Sequence, residues 1–97
     1  MNYTDTSTFE WDASKSEACL KSRGFDFAYI LNAFFDPKAI IRPDKRWDYG
    51  EDRYSLIGKK SDRIFVVIYT LRNDAIRIIS ARKANLREKK LYENHTH

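Results

Sequence analysis

Residues 63–71, RIFVVIYTL, narrow the possible folds more than any other stretch of the chain. A half-exposed strand would alternate apolar and polar residues, but this run is apolar on both faces, as a central buried strand requires. Turn-forming residues bound it: Lys60 to Asp62 on one side and Asn73-Asp74 on the other. The runs beyond those turns, RYSLIGK (53–59) and AIRIISAR (75–82), also read as strands, so the three form a meander.

The rest of the chain supplies elements to pack on this meander. TFEW (8–11) reads as a short strand. Asp12 is a good N-cap for a helix over about 13–23, with Ser14 and Glu17 offering an alternative capping box. Gly24 suits the left-handed position that ends such a helix. A second helix is expected over roughly Asp26 to Phe35, with Phe27, Ile30, Leu31 and Phe34 as its core stripe. The FDP sequence stops it, because the residue before a proline avoids the helical region. KAIIR (38–42) is then a short strand, and Pro43 marks it as an edge. Asn85 with Glu88 three residues later predicts a capped last helix. The expected order is β-α-α-β-β-β-β-α. This is an α+β fold with a mainly antiparallel sheet and helices packed on one side. A chain of 97 residues makes one domain, with residues 1–7 and 94–97 expected to be disordered tails.

Several function classes drop out. Cys19 is the only cysteine, so there is neither an intrachain disulfide nor a cysteine metal site. No run approaches the roughly 18 apolar residues of a membrane span. The N-terminus has no basic flank or apolar segment of a signal peptide, so a reduced, cytoplasmic setting is expected. Nucleophile motifs, glycine-rich phosphate loops and metal-ligand spacings are absent, and no cofactor is implied. His95 and His97 lie in the tail and are given no chemistry.

What remains is cationic. Residues 1–70 hold 11 Lys/Arg and 11 Asp/Glu, whereas residues 71–97 hold seven against three, so the whole net charge of +4 sits at the C-terminal end. Asymmetry of this kind suits a polyanionic partner, or simply a solvated helix. Within IRIISARKANLREKKLYE (76–93), Arg77, Arg82 and Lys83 fall inside or just after an apolar run. Ionised groups are seldom buried without partners, and one candidate partner is a phosphate. Strict alternation puts Ile76, Ile78, Ser80 and Arg82 on one face and Arg77, Ile79 and Ala81 on the other. Arg53 shares a face with Ser55 and Ile57, and Glu51 is in phase with it. Suitable register would let Glu51, Arg53 and Arg77 line one concave surface. Each has a structural alternative: Arg77 paired with Glu51, Arg82 and Lys83 solvated at a strand end, Lys21 and Arg23 complementing a helix dipole, Tyr92 packing. Trp11 reads as core, while Trp47 lies in a polar loop and is placed to stack on a base. Arginines beside a carboxylate can clamp a phosphodiester and stabilise its pentacovalent transition state. RNA carries its own nucleophile, the 2′-hydroxyl, so a base, an acid and a clamp suffice.

FEWD with Lys15, KSRG with Phe25 and Phe27, FFDP, YGEDR with LIG, VVIYTLRNDAIRIISARKA, and Glu88 with Tyr92 together resemble the BrnT family of toxins. The resemblance covers residues 9–93. It implies a RelE-like ribonuclease fold and the toxin half of a type II toxin–antitoxin pair. The partner would be a BrnA-like ribbon-helix-helix antitoxin, with DNA bound only through that antitoxin. The family's GExR falls on Gly50, Glu51 and Arg53, and its RIISAR on Arg77 to Arg82, followed by Lys83. The expected roles make Glu51 the general base, with Arg53, Arg77 and Arg82 on the scissile phosphate. Lys21, Arg23 and Lys83 would bind flanking phosphates, and Tyr92 would protonate the leaving group; no metal takes part. One departure stands out: Ser22-Arg23-Gly24 occupies the place of the family's K-H-G, and arginine cannot act as a base near neutral pH. A non-catalytic, degenerate toxin that binds its antitoxin and adjusts operon repression therefore stays open. So does direct DNA binding through the basic last helix.

Overall fold

A computed structural model describes residues 8–95, so the expected tail at 1–7 and the last two residues of the one expected at 94–97 lie outside the described residues, while Asn94 still belongs to the last helix and His95 caps it. The elements are β1 (Thr8–Trp11), α1 (Ala13–Arg23), a 3-10 segment (Tyr29–Phe35), β2 (Ile40–Pro43), β3 (Arg53–Lys60), β4 (Arg63–Arg72), β5 (Ala75–Lys83) and α2 (Leu86–Asn94). One five-stranded sheet runs β1-β5-β4-β3-β2, with only the β1–β5 pair parallel. The meander is as expected. Its second turn has both Asn73 and Asp74 at positive φ, 50° and 65°, the backbone that matches strand twist in a two-residue hairpin. The antiparallel α+β class holds.

Local signals place the helices. The Asp12 carboxylate accepts from the amides of Ser14 and Lys15 to start α1, and Gly24 closes it at φ 86°. Asn85 and Glu88 form the expected capping box on α2. The second helix differs from expectation. The Asp26 carboxylate accepts from Tyr29 N at 2.9 Å, and Phe27 N is drawn away to Ser16 Oγ at 3.0 Å. Residues 26–28 therefore stay outside, and a seven-residue 3-10 turn remains, burying Ile30, Ala33 and Phe34. It lies close on β3: a Cβ on Gly58 would come within 2.6 Å of the Ala33 carbonyl oxygen.

The apolar double face of β4 divides two cores. Phe65, Val67 and Tyr69 join Ile76, Ile78 and Ala81 under α1 and the 3-10 segment. Val66 and Ile68 join Ile57 and Ile64 beneath Tyr92 of α2. Packing on one side thus describes the first two helical segments, whereas α2 covers the opposite face. Burial of both faces of β4 demands that second cover. Buried Cys19 of α1 donates to the Ala81 carbonyl at 3.6 Å, and burial pushes its thiol pKa up.

Candidate active site

The α2 face of the sheet is only half covered, and its open half is polar. Register sets Glu10, Arg77, Thr70 and Arg53 side by side across β1, β5, β4 and β3. The next row along holds Ser80, Ile68, Ser55 and Arg42, and the row nearest α2 holds Arg82, Val66, Ile57 and Ile40.

Strict alternation along β5 fails. The pairing steps from Ile68↔Ser80 to Tyr69↔Ile78, leaving Ile79 as an extra, bulged residue. Ile76, Ile78 and Ala81 consequently point into one core, and Ile79 packs with the other. The bulge turns Ser80 and Arg82 onto the face of Arg77. This corrects the expected grouping of Arg82 with Ile76 and Ile78. Arg53 and Arg77 share a face as expected, with Thr70 between them; its hydroxyl is buried and donates to the Asp52 carbonyl at 2.6 Å.

None of these arginines lacks a partner. Arg77 Nη1 donates to Glu10 Oε1 at 3.4 Å, so its carboxylate comes from β1 and not from Glu51. Arg53 Nε donates to Glu51 Oε2 at 3.1 Å, and Arg72 Nη2 lies 3.6 Å from Glu51 Oε1. Arg82 makes a two-pronged bond to Glu88, 2.7 Å to Oε1 and 2.8 Å to Oε2. That guanidinium, against the opposing effect of burial, holds the Glu88 carboxyl below its ordinary value, helped by the Asn85 amide. The partners sought for these cations are therefore internal carboxylates. Each guanidinium keeps other donors in reserve, because arginine has five N–H groups. Arg53 commits only Nε among the described contacts, while its Cζ rests 4.1 Å over the Tyr49 ring.

Two open hollows adjoin the row. One of about 400 Å³ is lined by Arg23, Arg42, Arg46, Ser55, Ser80 and Arg82, with Glu88 on its wall. The other, about 360 Å³, holds Glu51, Arg53, Trp47 and Tyr49. Both share Pro43, Asp44 and Lys45. Asp44 anchors this divide. Its carboxylate takes Arg46 Nε and Nη2 at 2.8 and 3.0 Å and the Tyr49 hydroxyl at 3.2 Å, and Arg46 above all lowers its pKa. Trp47, 72% exposed, projects at the second hollow as a loop tryptophan free to stack.

The expected set is thus brought together in part. Arg53 and Arg77 lie in one row, Arg23 and Arg82 in one hollow, and Glu51 with Arg53 in the other. Lys21 is exposed on α1 and pairs with Glu17 at 3.7 Å, outside both hollows. Lys83 opens onto a different hollow altogether. Tyr92 is buried in the second core, and its hydroxyl donates to Asp36 Oδ2 at 2.6 Å. Burial, then that bond, raises its pKa well above the ordinary phenol value. A phenol held this way tethers α2 and does not face the arginines. Arg42, Ser55 and Ser80 were missed. Ser55 and Ser80 were already in phase with Arg53 and Arg82 but were given no role, whereas the place of Arg42 beside them is readable only from the β2–β3 pairing. Among the described residues, no three His, Cys, Asp or Glu side chains are grouped as metal ligands. Nor is any helix among them long and apolar enough to cross a membrane.

Residues 11–88 match a family model described as a ribonuclease toxin, BrnT, of a type II toxin–antitoxin system. No individually curated protein matches the chain.

Proposed function

The chain belongs to the BrnT family of ribonuclease toxins of type II toxin–antitoxin systems, and on that premise we propose that it is a metal-independent endoribonuclease acting through the open arginine face. Family membership brings an RNA substrate and an antitoxin partner. In this reading the chain is one RelE-like domain working in the cytoplasm.

The 2′-hydroxyl of RNA attacks the adjacent phosphorus, the bond to the 5′-oxygen breaks, and a 2′,3′-cyclic phosphate is left. Glu51 takes the 2′ proton, and the departing 5′-oxygen takes its proton from water. Arg53 and Arg77, two strands apart and so roughly 10 Å between backbones, reach one phosphate from opposite sides and offset its growing charge. Arg82 stands four residues further along the ladder, about 13 Å away, and with Arg23 and Arg42 holds a neighbouring phosphate. Arg23 replaces the family histidine as a phosphate contact. A ribbon-helix-helix antitoxin of the BrnA kind would cover the hollow with acidic or aromatic residues, and DNA would be bound through that antitoxin.

The observation carrying this reading is that Arg53 and Arg77 lie in one row of the open sheet face, with Arg42 and Arg82 meeting at the hollow beside it. The test is RNA cleavage by the purified protein in EDTA, parent beside Arg77→Ala. Loss of such a transition-state contact costs about 10²- to 10³-fold in rate. An Arg77→Ala protein that keeps its thermal midpoint and cuts as fast as the parent sinks the assignment. One observation favours a second reading, a non-catalytic module that binds its antitoxin: Arg53, Arg77 and Arg82 each already have an internal carboxylate. Growth arrest on induction without antitoxin separates the two, since an inert module leaves cells growing.

A further inference from the structure

The pairing of the site arginines makes another group of cations conspicuous. Lys59 and Arg63 on β3 and β4, Lys83 at the end of β5 and Lys89 on α2 converge on a third hollow of about 320 Å³. Asp62 and Glu93 also line it, so four cations face two carboxylates. Among the described residues, none of the four cations makes an ion pair within 4.0 Å, whereas Arg46, Arg53, Arg72, Arg77 and Arg82 all do. Four like charges around one concavity repel one another, and Asp62 and Glu93 do not fully neutralise them. An external polyanion would.

The position of this hollow says which polyanion. Consecutive residues line the two basins: Arg82 and Glu88 face the arginine hollow, Lys83 and Lys89 the third. The N-terminal half of α2 and the end of β5 are therefore a narrow ridge between them. A flexible strand whose phosphate sits on Arg82 reaches Lys83 by crossing that ridge, while a stiff duplex or a folded protein surface would have to span both concavities at once.

We infer that the Lys59–Arg63–Lys83–Lys89 hollow is a backbone-binding subsite for single-stranded RNA flanking the cleaved bond, gripping phosphates without reading bases. The subsite rests on the ribonuclease reading but contributes affinity, not chemistry. A strand bound there releases counterions, so binding weakens with salt by about 0.7 in log–log slope for each phosphate neutralised.

The test is fluorescence anisotropy of a labelled 2′-O-methyl RNA strand, which binds without being cut, on the parent and on an Arg63→Ala/Lys89→Ala double variant over a range of salt. The expected result is a salt slope shallower by about 1.4 and binding weaker on the order of tenfold at low salt. With cleavable RNA, KM rises while kcat holds. Lys59→Gln provides a second, single-site check with half the slope change. Unchanged slope and Kd in variants that retain the parent's thermal midpoint overturn the subsite. Unchanged RNA binding with weakened antitoxin binding overturns it too, in favour of a protein ligand. Failure of the ribonuclease reading is distinct: the parent would not cleave RNA, yet the slope change would persist.

Discussion

Replacing Glu88 by Gln removes one charge from the best-formed ion pair around the site and leaves its shape almost intact. Glu88 Oε1 receives Arg82 Nη1 at 2.7 Å and the Asn85 amide at 2.9 Å, and Oε2 receives Arg82 Nη2 at 2.8 Å. Glutamine keeps one acceptor, enough for the N3 role in the capping box. It turns the other oxygen into a donor facing a donor, so the fork to Arg82 is lost. Hydrogen bonds to charged groups contribute about 1.5–3 kcal/mol each. The Glu88 side chain is only 14% exposed, but Arg82 is 41% exposed, and solvent screening discounts the sum. We expect about 2 kcal/mol of destabilisation at neutral pH for the pair. In a domain of this size that is a drop of roughly 10 °C in Tm.

The pH dependence supplies the sharper check. The Glu88 carboxyl is held below its ordinary 4.5 in the folded protein, first by the Arg82 guanidinium. Its contribution is therefore fully present above about 4.5 and is lost as pH falls through the lowered folded value. Urea unfolding followed by circular dichroism, from pH 8 down to pH 3, should show a constant parent-to-variant gap that closes at the acid end. A gap below about 0.5 kcal/mol at pH 7, or one that persists unchanged at pH 3, refutes a stabilising Glu88–Arg82 pair.

Two other substitutions probe the packing that frames the site. Gly58→Ala places a methyl group 2.6 Å from the Ala33 carbonyl oxygen and 2.9 Å from a Leu56 methyl, so it should cost about 1–3 kcal/mol; an unshifted urea midpoint contradicts this close approach. Tyr92→Phe leaves Asp36 Oδ2 without its 2.6 Å hydroxyl donor and should cost about 1 kcal/mol or slightly more, while RNA cleavage at saturating substrate stays at the parent rate. A stable Tyr92→Phe protein with impaired cleavage would return the phenol to the chemistry.

The two carboxylates that hold α2 explain why these effects are separable. Asp36 is partly buried, which alone would raise its pKa, but donors from Tyr92, Lys38 and Lys59 outweigh this and lower it. It ties α2 to β3 at the end remote from the arginines. Glu88 ties the same helix to β5 beside them. One helix thus has a structural tether and a site tether, and substitution at each reads out differently.

The amino-acid sequence by itself determined the strands, turns and caps: the double-faced run of β4, the Asn73-Asp74 hairpin, Asp12, Gly24 and the Asn85/Glu88 box. Each depends on a few neighbouring residues whose side chains satisfy or bend the backbone beside them, so one chain read in order suffices. Tertiary structure alone decided which arginines meet. Arg77 finds Glu10, 67 residues away, only because β1 joins β5 in parallel, and Arg82 joins its face only because Ile79 bulges. A single extra residue reverses every side chain beyond it, because strands repeat every two residues, and that extra residue exists only relative to the partner strand. Pairing likewise hid Arg42, whose place beside Ser55 in the row next to Arg82 comes from the β2–β3 register and not from pattern.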